Sequence, residues 1–162
     1  MKILIIYYSR TGNTKILAEH IAEGVKSVKG AECVIKNTDE VTKTDFSESD
    51  AIIAGSSVYF GTMAAELKAV FDNFVGLRKK TMENKIGAAF ATSGDQSGGK
   101  ETTMLSIIEA MLIYGMIIVG DPMDATGYYG VSCAGKPDER ARKNAEKLGK
   151  RVAELAGKLG GN

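Results

Sequence analysis

Ser9-Arg10-Thr11-Gly12-Asn13-Thr14 is a short loop that joins an apolar run, residues 3–8, to a stretch with helical periodicity, residues 14–28. This order places backbone N–H groups and the hydroxyls of Ser9, Thr11 and Thr14 at the start of a helix, where phosphate groups commonly bind. Gly12 allows a tight turn and lets an oxygen come close. The loop therefore predicts a phosphate site. An ordinary capped helix is the alternative, but three hydroxyls exceed the needs of one cap.

Apolar and amphipathic segments alternate along the rest of the chain. Further strands are predicted at residues 32–36, 50–55, 86–91 and 116–119, and further helices at 63–75, 100–114 and 138–159. Residues 38–48 are polar with room for one helical turn, and residues 56–62, 92–99 and 120–135 are predicted to be irregular. The β-α-β pattern predicts a single α/β domain spanning residues 1–162, with a parallel sheet between two layers of helices.

Charge and composition exclude several classes of binding partner. The chain has 162 residues with 21 Lys and Arg against 20 Asp and Glu, so neither nucleic acid nor an anionic membrane is expected as a partner. No apolar run approaches the roughly 20 residues of a membrane span, and no signal-peptide pattern is present, so a cytoplasmic location is expected. Cys33 and Cys133 lack metal-ligand spacing, and the single His20 gives no basis for a His-based metal site.

Two further loops lie where ligands bind in open parallel sheets, beyond the carboxyl ends of the strands. Residues 56–62 contain the adjacent aromatics Tyr59 and Phe60, which either pack on neighbouring helices or flank a flat ligand. Residues 92–99 contain three glycines and could offer backbone N–H groups to something large and planar. A flexible surface loop is the alternative for that segment.

Other nucleotide motifs fit poorly. No G-x-G-x-x-G pattern follows the first strand. Gly94, Gly99 and Lys100 have the spacing of a Walker A motif, but Glu101 stands where that motif needs a hydroxyl for Mg²⁺. A receiver domain needs acidic residues after the first strand, and Tyr8-Ser9-Arg10 occupies that place. A mononucleotide with one phosphate and a flat ring fits the three loops better than any of these.

Residues 5–21, Ile-Ile-Tyr-Tyr-Ser-Arg-Thr-Gly-Asn-Thr-Lys-Ile-Leu-Ala-Glu-His-Ile, resemble the flavodoxin signature throughout. Residues 55–63, 92–102 and 114–119 resemble the tryptophan-repressor-binding-protein type of NAD(P)H:quinone oxidoreductases, and the resemblance covers nearly the whole chain. It implies a flavodoxin-like three-layer sandwich with a five-stranded parallel sheet of order 2-1-3-4-5. It also implies FMN as the cofactor.

The resemblance assigns a role to each loop. The first loop would hold the FMN phosphate through Ser9, Arg10, Thr11, Gly12, Asn13 and Thr14. The other two would enclose the flavin ring through Ser56, Ser57, Val58, Tyr59, Phe60, Gly61, Thr92, Ser93, Gly94, Asp95, Gly98 and Gly99. The flavin would carry the redox chemistry, so no hydrolase-type acid or base and no metal is expected.

The chain also departs from that family. Two insertions that help form the family's tetramer and shared active site are absent, one between the second and third strands and one after the fifth. The tetramer is therefore not implied, and a homodimer or higher homo-oligomer is left open. Tyr114-Gly115 stands where the family has His-Gly, and Tyr114 is expected to pack at a helix end.

Two functions follow from the resemblance. The first is an enzyme that passes two electrons from NAD(P)H through FMN to a quinone or similar small acceptor. The second is a short-chain flavodoxin that carries electrons between redox protein partners. Carrier flavodoxins are strongly acidic as a family, whereas this chain has a net charge of +1, which favours the enzyme. A scaffold protein without flavin is a third reading, and the intact phosphate loop argues against it.

Overall fold

The computed structural model describes residues 1–79, 81–126 and 128–160. The strands are β1 (Lys2–Tyr8), β2 (Glu32–Asn37), β3 (Ala51–Tyr59), β4 (Thr62–Met63), β5 (Ile86–Ser93), β6 (Ile117–Ile118) and β7 (Gly130–Ala134). The helices are α1 (Asn13–Lys26), α2 (Lys43–Glu48), α3 (Ala65–Asn73), α4 (Lys100–Ile113) and α5 (Glu139–Leu159), with a short 3-10 helix at Val75–Leu77. Strands and helices alternate as the sequence predicts, except that β4 directly follows β3 and β7 directly follows β6.

The main sheet runs in the order β2-β1-β3-β5-β6, and each neighbouring pair is parallel. Because β4 is only a two-residue strand beside β3, this is the predicted order 2-1-3-4-5, and the flavodoxin-like fold class is confirmed. Apolar side chains occupy the middle of β1 because helices cover both faces of the sheet. One face packs on α1 and α5, and the other on α2, α3 and α4.

The α1–α5 layer depends on two glycines. A Cβ on Gly149 would lie 2.0 Å from the carbonyl oxygen of Ile21, and a Cβ on Gly24 would lie 1.9 Å from that of Glu146. Backbone atoms cannot move aside as a side chain can, so only glycine allows this approach of the two helices. Among the described residues, no helix is both long and apolar enough to cross a membrane.

The prediction that residues 120–135 are irregular was wrong for part of the segment. β7 forms there and pairs in parallel with the carboxyl half of β5, from Ala89 to Ser93. The predicted fifth strand, residues 116–119, contributes only the two-residue β6, which pairs with the amino end of β5. Two short strands therefore share the last position of the sheet. β7 escaped prediction because Gly-Val-Ser-Cys-Ala lacks the long apolar run of a buried strand.

The prediction that residues 56–62 form a loop was also wrong. β3 continues through Tyr59, and a two-residue turn at Phe60 and Gly61 returns the chain to β4 as a β-hairpin. Both turn residues have positive φ, 49° and 80°, which is the pattern of the two-residue turns whose twist matches that of paired strands. The polar start of the segment stays in the sheet because Ser57 pairs with Thr92 of β5.

Candidate cofactor site

The loop of residues 9–12 leaves β1 and turns directly into α1. Gly12 precedes the helix with φ 92°, a left-handed conformation that favours glycine. Ser9 Oγ accepts hydrogen bonds from the backbone N–H groups of Gly12 at 3.1 Å and Lys15 at 3.3 Å, which holds the loop in its curved shape. Arg10 and Thr11 are exposed, while Asn13 is half-buried.

This loop leaves donors available for an anion. Among the described residues, the backbone N–H groups of Thr11, Asn13 and Thr14 have no protein acceptor. A Cβ on Gly12 would meet nothing within 4 Å, so the space beside the turn is open. Unpaired N–H groups at the start of a helix carry partial positive charge, and a phosphate would satisfy them. The residues present therefore fit the phosphate of a mononucleotide.

Thr14 links this loop to both of the others. Its side chain is fully buried, and its Oγ1 lies 2.7 Å from Thr92 Oγ1 and 3.0 Å from Ser57 Oγ. Ser57 Oγ also donates to the carbonyl of Tyr8 at 3.4 Å. One hydroxyl from each of the three predicted loops thus meets in a single cluster, the Thr14–Ser57–Thr92 cluster. The structure brings the three segments together, although they are far apart in the sequence.

The hairpin places its residues very differently. Ser56 is buried and structural, since its Oγ donates to the Ser57 carbonyl at 2.6 Å and accepts from the Ala64 N–H at 2.9 Å. Val58 and Tyr59 are half-buried. Phe60, at the tip, is fully exposed in a backbone conformation that only a minority of non-glycine residues adopt. An aromatic ring held out in this way has its whole surface available for a flat ligand.

The third loop is closed by its own hydrogen bonds. Ser93 Oγ donates to the Asp95 carbonyl, and the Asp95 carboxylate accepts the backbone N–H and the hydroxyl of Ser97, both at 3.1 Å. These hydrogen bonds lower the pKa of Asp95. A Cβ on Gly98 would lie 2.8 Å from the Ser93 Cβ, so the loop requires glycine there. Gly94 has open space around it.

The hairpin and the third loop touch. Gly99 precedes α4 with φ 91°, and a Cβ on it would come within 3.0 Å of the Cα of Gly61 at the hairpin turn. The two segments predicted to enclose a flavin ring therefore lie beside each other, at the carboxyl ends of β3 and β5. This is the edge at which ligands bind in open parallel sheets.

Tyr8 is a residue of this region that the sequence interpretation did not assign to the site. Its ring packs edge-on against Tyr59, with 5.8 Å between the ring centroids. The neighbouring Tyr59 hydroxyl and then the Glu66 carboxylate raise the pKa of Tyr8 to about 12. Its place at the end of the first apolar run, directly before Ser9, was the available sequence signal.

An open groove of about 1020 Å³ adjoins the hairpin. Its apolar lining includes Tyr59, Phe60, Met63, Ala110 and Ile113, and its polar lining includes Thr62, Glu66, Lys68, Ser106 and Glu109. We call it the apolar groove. Its lining carries two carboxylates and one ammonium group, so both signs of charge are present.

The remaining singled-out residues lie elsewhere. Tyr114 is buried and donates from its hydroxyl to the Phe71 carbonyl at 2.5 Å, so it packs at the end of α4 as predicted. Cys33 and Cys133 are free thiols, and burial raises the pKa of each. His20 Nδ1 lies 2.9 Å from a Glu23 carboxylate oxygen and 3.1 Å from one of Glu146, which links α1 to α5. No sequence signal pairs residues 20 and 146.

The fold is that of an open α/β sheet, and the three loops meet at the edge where such proteins bind their ligands. The model of the flavodoxin domain matches residues 4–112, so the chain belongs to the flavodoxin family. It is a flavodoxin-like redox protein of a family whose members bind FMN.

Relatives point to two branches of this family. The chain is 37% identical to a flavodoxin of Aquifex aeolicus over 94% of this chain and 85% of that one. It is 35% identical to an NAD(P)H dehydrogenase (quinone) of Archaeoglobus fulgidus over 98% of both. The crystal structure of the flavodoxin, WrbA-like protein from Agrobacterium tumefaciens shares the fold with a TM-score of 0.83 and 21% identity, over 97% of this chain and 98% of that one. The resemblance to the tryptophan-repressor-binding-protein type is confirmed.

Proposed function

We propose that this protein binds FMN and uses it to pass two electrons from NAD(P)H to a quinone or a similar small acceptor. The observation that carries the proposal is the meeting of three loops at one edge of the sheet, one with unpaired N–H groups and two with space for a flat ring. FMN, when bound, would supply the electron-transfer chemistry.

Different residues would bind the phosphate and the ring of FMN. The N–H groups of Thr11, Asn13 and Thr14, with the exposed Thr11 hydroxyl, would hold the phosphate. The hairpin and the third loop would hold the ring. The Thr14–Ser57–Thr92 cluster links these segments to one another. These contacts would keep the distance between the phosphate site and the ring site constant.

The apolar groove supports the proposal that the electron acceptor is a small molecule. It begins at Tyr59 and Phe60, so an aromatic molecule bound there would lie beside the proposed ring site. Its rim mixes Glu66 and Glu109 with Lys68, and an uncharged acceptor needs no stronger field. The full-length similarity to the quinone dehydrogenase of Archaeoglobus fulgidus supports the same proposal.

The second candidate is an electron carrier that exchanges single electrons with redox protein partners. The similarity to the Aquifex aeolicus flavodoxin favours it, because that chain is matched at slightly higher identity. The net charge of +1 is unlike the acidic surface that steers carrier flavodoxins.

Anaerobic reduction separates the two candidates. The FMN-loaded protein is mixed with NADPH or NADH in a stopped-flow instrument, and the bleaching of the flavin is followed before benzoquinone is added. The enzyme predicts rapid two-electron bleaching and rapid return of colour with quinone. Absence of reduction by both nucleotides, together with a stable one-electron form on chemical titration, would establish the carrier instead.

A further inference from the structure

Lys100 carries a buried positive charge that the redox site does not use. It is the first residue of α4, and only 7% of it is exposed. Its Nζ donates to the Gln96 backbone carbonyl at 2.9 Å and lies 3.3 Å from the Gln96 side-chain oxygen. Both acceptors are neutral. No described carboxylate forms an ion pair with Lys100, although the ammonium is near enough to the Asp95 carboxylate to contribute to the lowering of its pKa. An anion in direct contact with this buried ammonium would therefore be stabilising.

Lys100 lines a cavity of about 300 Å³ with two further cations, Lys136 and Arg140. We call it the basic cavity. Among the described residues that line it, Asp138 is the only acid, and its carboxylate accepts the Ala141 N–H at 2.8 Å as the cap of α5. Ser132 and Asn144 add neutral polar groups to the lining. The described lining thus carries three cations and one carboxylate, which leaves an excess of two positive charges.

Further acids lie near the basic cavity but do not line it. The Asp95 carboxylate is hydrogen-bonded to Ser97 and is close enough to Lys100 for the ammonium to help lower its pKa. Glu101 and Asp121 line a smaller cavity, which shares Thr126, Ser132 and Asn144 with the basic cavity. Cys133 lines the basic cavity, but burial raises the pKa of its thiol to about 11, so the sulfur is uncharged at neutral pH. The cavity therefore keeps an excess of positive charge.

The basic cavity lies one strand away from the proposed flavin site. Cys133 and Ala134 of β7 pair with Thr92 and Ser93 of β5, which begin the third loop. Gln96 of that loop lines the cavity. A ligand that reaches from the flavin ring across the third loop would arrive here.

We propose that the basic cavity binds a phosphate group, with Lys100 as its central cation. A phosphate dianion would match the excess charge of Lys100, Lys136 and Arg140, and charge-assisted hydrogen bonds from these groups are the strong ones. The phosphate could belong to the nucleotide donor, in particular the additional phosphate of NADPH, or be inorganic phosphate. The nucleotide as the source rests on the proposed function, whereas the phosphate site itself does not.

The first test is calorimetric titration of inorganic phosphate into the FMN-loaded protein, in which bound FMN already occupies the first loop. Chloride at equal ionic strength is the reference. Phosphate should bind one-to-one, and Lys100→Met should weaken it about 10- to 100-fold, the effect of removing a hydrogen bond to a charged group. Lys29→Gln, an exposed lysine between α1 and β2, should leave phosphate affinity unchanged.

Lys136→Gln with Arg140→Gln provides a second variant that leaves the buried Lys100 in place. It should also weaken phosphate binding, and an unchanged melting temperature would show that folding is preserved. If wild-type protein does not bind phosphate, or if both variants bind it as wild type does, the proposal is wrong.

The second test compares the KM of NADPH with that of NADH in the same variants. If the cavity binds the additional phosphate of NADPH, Lys100→Met should raise the KM for NADPH about 10-fold or more and leave the KM for NADH unchanged. Phosphate binding with unchanged KM values for both nucleotides would support the site and identify inorganic phosphate as its ligand. Phosphate binding with an equal rise in both KM values would support the site and assign it to the diphosphate that the two nucleotides share. Phosphate binding with no flavin reduction by either nucleotide would reject the proposed enzyme and still support the site.

Discussion

Replacing Thr14 by valine removes one hydroxyl from the centre of the three-loop site while keeping the shape of the side chain. The Thr14–Ser57–Thr92 cluster is buried, with separations of 2.7 Å and 3.0 Å around Thr14 Oγ1. After the substitution, Ser57 Oγ keeps only its long hydrogen bond to the Tyr8 carbonyl. Thr92 Oγ1 loses its described partner while 4% of the residue is exposed. Leaving a buried polar group unsatisfied costs about 1–3 kcal/mol, so Thr14→Val should lower the free energy of unfolding of the flavin-free chain by that amount.

Flavin affinity distinguishes the role of this hydroxyl from that of Thr11. The Thr11 side chain is exposed and is free to donate to a phosphate, so Thr11→Val should weaken FMN binding by about 1–3 kcal/mol and leave riboflavin binding unchanged. Thr14→Val should weaken FMN and riboflavin alike, because its hydroxyl holds the loops together. Both affinities are measured by quenching of flavin fluorescence. The reasoning fails if Thr14→Val leaves stability intact and weakens FMN alone.

Three other substitutions test the rest of the framework. Phe60→Asn should stabilise the flavin-free chain by about 1 kcal/mol, because asparagine tolerates the left-handed turn, and should weaken flavin binding because the aromatic ring is lost. Thermal unfolding measures the stability and fluorescence titration measures the flavin affinity. A loss of stability would contradict the turn assignment. Gly149→Ala should destabilise the fold by about 1–3 kcal/mol, because the added Cβ would collide with the Ile21 carbonyl. Gly157→Ala in the same helix is the control, since its Cβ would meet only the flexible end of Met1. Equal melting temperatures for the two variants would refute this prediction. Burial favours a raised pKa for Asp45, but hydrogen bonds from Lys36 and Thr42 outweigh it and lower the pKa to about 2. Because this folded-state pKa lies below the ordinary value of 3.8, the Asp45 carboxylate stabilises the fold above about pH 4. This contribution of about 1–2 kcal/mol is lost as the pH falls towards 2. In urea denaturation at a series of pH values, Asp45→Asn should therefore flatten the dependence of unfolding free energy on pH between about 4 and 2.

The sequence predicted the elements whose own periodicity is strong. β1 is an unbroken apolar run, and α5 begins after Asp138 as its capping residue suggests. The loop of residues 9–14 could be proposed as a phosphate site from the sequence because all of its candidate donors lie in six consecutive residues. The hairpin was missed because Phe-Gly is an unusual two-residue turn, and Tyr59 gave no sign that β3 continues to it.

Pairings between distant residues could not be predicted from local patterns. Thr14 and Thr92 are 78 positions apart, and they meet only because β1, β3 and β5 are adjacent in the sheet. The same holds for Gly61 beside Gly99, and for Lys100 in the basic cavity, since β7 had not been predicted. Sequence motifs therefore singled out three segments that the structure brings together, and the register of the strands determined which of their side chains touch.

We propose that the three loops hold one flavin mononucleotide, with the phosphate on the first loop and the ring between the other two. The most direct measurement is a fluorescence titration of the flavin-free protein with FMN, riboflavin and FAD. We expect FMN to bind one-to-one, riboflavin to bind more weakly because it lacks the phosphate, and FAD to bind more weakly still. Equal affinity for FMN and riboflavin, or preference for FAD, would contradict the proposal.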